Sequence, residues 1–467
     1  MRQTRLKHIL AAMPPAQYAL TVGRDTAEPL AEAFAERRAV QPVAGGRPLK
    51  PDDWQTTWQS LLAQKPTPAE RVVYIHIPFC RQRCLYCGFF QNYFDEDLET
   101  AYIDSLIQEL QLSRKSRYLG SGAVNAVFIG GGTPSTLAPH NVARLLKAIH
   151  ANLPLANDCE LTLEGRINDL VPPKIEAWLM NGVNRISLGV QSFHTQVRQA
   201  VGRLDDTQTI LERLKLLAGY NQVAVIVDLI YGLPYQTGEV WADDLTLLQA
   251  APIAGMDLYQ LSVFEGGALQ QAIRAGRLPA AATTAGQARL FAAAEAELAA
   301  RNFSRLSICH WGKNNRERNM YNTLTKAGSP VIPFGAGAGG NIGGVSMFLD
   351  RNVEKYIGSI ARGEKPFVML LRQAAGTKWQ HTVVAQLERG YIDLHELAGQ
   401  YGSGAWELEL LLAIWAERGL VTRDTDVPQL TVAGKFWYKN MTQSLVECLH
   451  ALWDSGRDGQ QTIMVHS

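Results

Sequence analysis

Hydrophobic and polar positions change rhythm twice along the chain. From residue 71 onward, short apolar runs recur, each followed by turn residues and a longer amphipathic stretch. The runs are VVYIHIP (72–78), AVNAVFIGG (123–131), CELTLEG (159–165), RISLGVQS (185–192), VAVIVDLIYGLP (223–234) and MDLYQLSVFEG (256–266). Helical spacing is clearest between them in LETAYIDSLIQELQLSRK, NVARLLKAIHANL, PPKIEAWLMNG and DTQTILERLKLLAG. Strands alternating with helices predict βαβ units, a parallel sheet and right-handed crossovers. Six such units predict an α/β fold, a partial (β/α)6 barrel over residues 71–350. Such a barrel presents its functional side chains at the C-terminal ends of the strands.

The flanks read differently. Residues 1–70 have poor periodicity and clustered Pro and Gly, as in AEAFAERRAVQPVAGGRPLKP. They predict an N-terminal extension with one or two short helices, including PDDWQTTWQSLLAQ. After PFGAGAGGNIGG (333–344) the alternation stops. Residues 351–455 read as mainly helical, with two β-prone runs around a polar turn in LVTRDTDVPQLTVAG, a winged-helix-like pattern. Residues 456–467 read as a frayed tail.

Composition narrows the function. With 45 basic and 44 acidic residues, the net charge of +1 gives no support for a nucleic-acid surface. No apolar run reaches the ~18 residues of a membrane span. The apolar piece near the N-terminus is broken by Pro14 and Pro15 and makes no secretory signal. A cytoplasmic protein is expected.

The six cysteines are Cys80, Cys84, Cys87, Cys159, Cys309 and Cys448. One tight trio and three scattered residues do not make a disulfide framework; the trio reads as metal-binding or catalytic. Its C-x3-C-x2-C spacing, directly after a strand, suits an iron–sulfur cluster or a zinc ion. Structural zinc takes four protein ligands, commonly in two pairs. Three thiolates on a four-iron cluster leave one iron for a small molecule. On spacing alone, zinc and three plain buried cysteines stay open.

With Tyr86 before the third cysteine, the motif resembles the radical S-adenosylmethionine (SAM) superfamily. The resemblance implies that Cys80, Cys84 and Cys87 hold a [4Fe–4S] cluster whose unique iron chelates SAM and cleaves it to a 5′-deoxyadenosyl radical. Later strands end in residues that suit such a ligand: Gly130 to Thr133, Glu164, Gln191 with Arg203 beyond it, and Asp228. Singly, each is also read as a turn, a cap or an ion-pair partner. YIHIPFC, GGGTPS, SLGVQSF and DLIYGLP are similar to the coproporphyrinogen dehydrogenase-like branch over about residues 72–345. That similarity implies cofactor contacts from Tyr74, Tyr86, Gly88, Gly131, Gly132, Thr133, Glu164, Gln191, Arg203 and Asp228.

Within the branch, oxygen-independent coproporphyrinogen III dehydrogenase carries a further cysteine where Phe89 stands. The branch's haem chaperones share C-x-F, but start closer to the first strand and carry His-Asn where Arg318-Asn319 stands. AFAERRAV in the long extension, CGFFQN, LEGR and ICHWGKNNRERNMYN resemble the anaerobilin synthase (ChuW/HutW) family. That resemblance implies a radical SAM methyltransferase that opens haem without oxygen to a methylated linear tetrapyrrole, releases iron and uses one or two SAM molecules. It also implies a separate electron donor, a flavodoxin-like protein or a flavin reductase. The haem chaperone and the coproporphyrinogen dehydrogenase are the alternatives.

A planar, anionic macrocycle needs aromatic walls and cations. Arg305, His310, Trp311, Lys313, Arg316, Arg318 and Tyr321 crowd into 304–322 as a candidate haem rim. His310 is the candidate catalytic residue, as an iron ligand or a proton carrier. A solvated basic loop and a structural histidine are the plain alternatives.

Overall fold

All six expected strands form: β1 (Val72–Ile77), β2 (Val124–Gly131), β3 (Leu155–Gly165), β4 (Arg185–Gln191), β5 (Ala224–Tyr231) and β6 (Gly255–Gln260). The computed structural model describes residues 5–41, 46–65 and 70–464. β1 to β6 pair in chain order and in parallel. Helices cover such strands outside while side chains fill the barrel inside, so their sequences read as almost continuous apolar runs. In β5 the half-buried position is Asp228; the other seven residues are buried.

β7 (His310–Gly312) pairs antiparallel with β6, placing His310 opposite Asp257. β8 (Val331–Phe334) is a seventh parallel strand, on the other side of β1. The pattern reading passed over it because VIPF is short, contains Pro333 and runs into the glycine-rich PFGAG.

The sheet then continues where alternation was expected to stop. β9 (Gly339–Ile342), β10 (Val345–Leu349) and β11 (Phe367–Arg372) extend it in antiparallel fashion, and Arg47–Pro48 of the extension pairs with β11. A division at residue 350 therefore cuts a continuous sheet.

The extension is more structured than expected, with helices Arg5–Ala12, Pro15–Val22, Pro29–Glu32 and Trp54–Ala63. It wraps the C-terminal helices. Asn440 Nδ2 donates to the Glu36 carbonyl at 2.9 Å, and Trp437 Nε1 to the Leu30 carbonyl at 3.0 Å.

The C-terminal part has helices Thr377–Arg389, Leu394–Tyr401 and Glu409–Glu417, then a hairpin of Val421–Thr422 with Gln429–Leu430. The last helix, Tyr438–Met464, runs through most of the expected tail; residues 465–467 lie outside the described residues. Among the described residues, no helix is long and apolar enough to cross a membrane.

The helix Met320–Lys326 closes the N-terminal mouth of the barrel. Its first amides, of Met320 and Tyr321, donate to the Glu160 carboxylate at 3.1 and 3.2 Å.

Candidate functional site

The cysteine loop is pinned at both ends and in the middle. Phe79–Cys80 pairs with Asn92–Tyr93. In the middle, Leu85 N donates to the Val201 carbonyl and Leu269 N to the Leu85 carbonyl, both at 3.1 Å. Cys80 and Cys84 are buried and Cys87 half-buried. Each sulfur has a donor. Thr133 Oγ1 is 3.3 Å from Cys80, an Arg166 nitrogen 3.5 Å from Cys84 and Phe89 N 3.3 Å from Cys87. Burial pushes the Cys80 thiol pKa up, while Thr133 and Arg166 pull it down. Such donors tune a cluster's sulfurs and favour thiolates.

The glycines bring β2 onto this loop. Gly131 has φ +116°, and a Cβ there would lie 2.6 Å from the His76 ring; one at Gly132 would lie 2.5 Å from the Phe79 carbonyl oxygen. The close approach they permit is to β1 and the segment leading into Cys80. Gly88 lies beneath the exposed Phe264 ring, which a Cβ at that position would meet at 3.1 Å.

Inside the barrel, Glu164 accepts from Gly131 N at 3.1 Å and Asp228 from Ser187 Oγ at 3.1 Å. Both donors are neutral. Burial raises the Glu164 carboxyl to about 7. Burial, then Asp257 and Glu164, raises that of Asp228 to about 7. Gln191 closes β4 in the left-handed region at φ +73°, and its buried Oε1 has no partner. Gln191 Nε2 and an Arg203 nitrogen both crowd over Gly189, where a Cβ would meet them at 2.6 and 3.1 Å. Arg203 in turn donates twice to the Tyr86 hydroxyl, at 3.1 and 2.9 Å. Tyr74 pairs with His76 Nδ1 at 3.0 Å. Burial lowers His76 to about 4, keeping it neutral.

Buried carboxyls facing neutral donors and an orphaned amide oxygen suit a cationic ligand that donates hydrogen bonds. SAM, with its sulfonium and ammonium groups, fits that description.

His310 was expected on a rim. It sits instead in a strand, buried, with Nδ1 2.8 Å from Asp257 and Nε2 3.0 Å from Glu317. Both ring nitrogens face carboxylates, an arrangement that suits holding a proton rather than an iron. Glu317 also pairs with buried Arg185 at 3.1 Å. Burial works against charge on His310, but Asp257 and Glu317 outweigh it and raise its pKa to about 9.

The rest of the rim is likewise dispersed. Arg305 pairs with Glu295 and lies over the buried Trp311 ring at 3.9 Å. Lys313 donates to the Gln249 and Ala251 carbonyls at 2.6 and 2.9 Å. Arg316 reaches Asn221 at 2.7 Å and Arg318 the Asp158 carbonyl at 2.7 Å. These partners precede β5 and open β3, so both arginines lie at the N-terminal mouth, opposite the cysteine loop. Tyr321 alone of the set points inward, 4.7 Å from Phe128 and 6.3 Å from Tyr74 between ring centroids. The sequence reading missed His76, Ser187, Asp257, Glu317 and Arg185. The signal available was a polar residue inside an apolar run, as at Asp257 in MDLYQ.

A barrel of this topology with three cysteines looped after its first strand defines a radical SAM protein, and the Radical SAM superfamily model matches residues 74–248. Its cofactors are a [4Fe–4S] cluster and SAM. Anaerobilin synthase of Escherichia coli O157:H7 is 37% identical over 422 residues, covering 90% of this chain and 94% of that protein. The chain belongs to the anaerobilin synthase family. The Heme chaperone HemW of Bacillus subtilis is 28% identical, covering 78% of this chain and 95% of that one. Coproporphyrinogen III oxidase (HemN) from Escherichia coli shares the fold, with a TM-score of 0.73 at 21% identity over 88% of this chain and 96% of that one.

Proposed function

We propose that the protein opens the haem macrocycle without oxygen, as a radical SAM methyltransferase, and yields a methylated linear tetrapyrrole with release of iron. The observation that carries the reading is the 37% identity to an anaerobilin synthase across nine-tenths of the chain. Phe89 in place of a further cysteine sets the chain apart from the coproporphyrinogen dehydrogenase pattern.

When bound, the cluster and SAM supply one-electron cleavage of a carbon–sulfur bond and a transferable methyl group. The residues do the holding. Cys80, Cys84 and Cys87 would ligate the cluster, with Thr133, Arg166 and the Phe89 amide donating to their sulfurs. Glu164, Asp228 and the free Gln191 Oε1 would receive the cationic and donor groups of SAM, each carboxyl losing its proton as the cation arrives. The Tyr86–Arg203 pair would brace the cysteine loop against the end of β4. Tyr74, Phe128 and Tyr321 form an aromatic wall in the barrel that keeps water from the reacting groups. His310 is placed to hold a proton between Asp257 and Glu317. Electrons would come from a separate flavodoxin-like protein or flavin reductase, in the cytoplasm.

The test is anaerobic. The reconstituted protein receives SAM, haem and a reductant, and porphyrin absorbance is followed with mass analysis of products. Loss of the Soret band with a methylated linear tetrapyrrole is expected. An intact Soret band, with haem handed on to an acceptor protein, would replace the synthase by a chaperone.

A further inference from the structure

With the 304–322 rim dispersed, the anionic edge of a porphyrin needs another site. A cavity of 310 Å³ offers cations. It lies beside β6 and β7, and three parts of the chain build it: the barrel, the extension and the C-terminal helices. Its walls include the aromatic rings of Tyr231, Tyr259, Phe291, Phe436 and Tyr438. Besides His310, four basic side chains line it, Arg37, Lys326, Lys435 and Lys439, against the two carboxylates Asp257 and Glu388.

Those carboxylates are already engaged. Asp257 faces His310 at 2.8 Å, and Glu388 pairs with Lys326 at 2.9 Å. Lys435 pairs with Glu295 at 3.2 Å, outside the lining. Among the described residues, Arg37 and Lys439 form no ion pair. Burial lowers the pKa of both, and the nearby charge of Arg37 lowers Lys439 further. Lys435 is brought down to about 8 by burial and then by Arg305. Glu388 offsets part of this at Lys439, but cations that outnumber the carboxylates beside them are held at a cost, which a bound anion reduces. The neighbouring Cys309 does not supply that anion, because burial and then Asp257 raise its thiol to about 12.

We propose that Arg37 and Lys439 form a carboxylate-binding subsite for the propionate edge of haem, so that the extension and the last helix orient the macrocycle at the side of the barrel. This rests on the haem-opening reading above. The cations and the aromatic walls together suit a flat, largely apolar ligand with carboxylates on one edge. The extension then has a task beyond packing, since it carries Arg37 to the cavity by docking on the helix that carries Lys439. Arg38 N donates to Asn440 Oδ1 at 3.1 Å, one residue along from each.

The experiment compares two probes on the full chain under anaerobic conditions: iron protoporphyrin IX and its dimethyl ester, titrated by absorbance. The variants are R37Q, K439Q and the pair, with R37K as the charge-conserving control and thermal unfolding as the check on folding. The wild type is expected to prefer the diacid. The double variant should lose roughly tenfold or more in affinity for the diacid, and little for the ester, while R37K keeps most of the preference. A folded double variant that retains the full preference for the diacid overturns the subsite and leaves the haem reading standing. A wild type that binds neither porphyrin overturns both.

Discussion

His310 and Asp257 face each other across the antiparallel pair β6 and β7, with Nδ1 2.8 Å from the carboxylate. The partnership holds an imidazolium in the wall of the barrel, backed by Glu317 on the other nitrogen. Its pKa of about 9 lies above the ordinary 6.5. A group whose pKa is raised on folding adds stability that is complete below its unfolded value and disappears as pH climbs through the folded one. The window here is pH 6.5 to 9, and the shift corresponds to roughly 3 kcal/mol at most. We expect the thermal midpoint of the wild type to fall across that window more steeply than that of His310→Gln. Parallel curves for the two would remove the charge from His310.

Glu164 and Asp228 support a second expectation. Burial raises both carboxyls to about 7. A cationic ligand binds the ionised forms, so SAM affinity should strengthen as pH rises from 6 to 8. Glu164→Gln should weaken SAM binding by about tenfold, a lost charge-assisted contact, and flatten that pH dependence. Cluster absorbance reports that the cysteine loop is intact. Unchanged binding in the variant would place the cofactor elsewhere.

These two groups also show what the sequence made legible. Glu164 and Asp228 interrupt apolar strands that must be buried on both faces, and an acid in that position is conspicuous in one dimension. The cysteine trio is local and equally visible. Arg185 and Glu317 meet across 132 residues, and Arg37 and Lys439 line one cavity because the extension docks on the last helix. No period or spacing encodes such pairs. The basic run of 304–322 misled for the opposite reason. Its residues are close in sequence, but the chain passes there from β7 to the far mouth of the barrel, and the side chains part company.

Gly131 and Gly132 carry a third expectation. Alanine at Gly131 would combine φ +116° with a Cβ 2.6 Å from His76, and alanine at Gly132 would press on the Phe79 backbone at 2.5 Å. Strain and overpacking of this kind cost about 1–3 kcal/mol. The obstructed residues lead directly into Cys80, so each variant should lose thermal stability and also iron per chain after reconstitution. Full iron content with unchanged stability would mean that the loop tolerates displacement from β2.

Arg316 and Arg318 separate the dispersed rim from the cavity at the side of the barrel. Both are exposed and hold Asn221 and Asp158 at the N-terminal mouth, opposite the cysteine loop. Exposed pairs of this type contribute roughly 0–1 kcal/mol. Arg316→Ala and Arg318→Ala, alone or together, should leave porphyrin affinity within about twofold of wild type and shift the thermal midpoint only slightly. If the pair instead weakens binding as strongly as loss of Arg37 and Lys439, haem enters at the N-terminal mouth. The helix Met320–Lys326 that closes this mouth would then have to swing out, since Tyr321 packs against Phe128 and Tyr74 on that path. Two titrations therefore decide whether the N-terminal mouth or the cavity beside β6 and β7 meets the substrate.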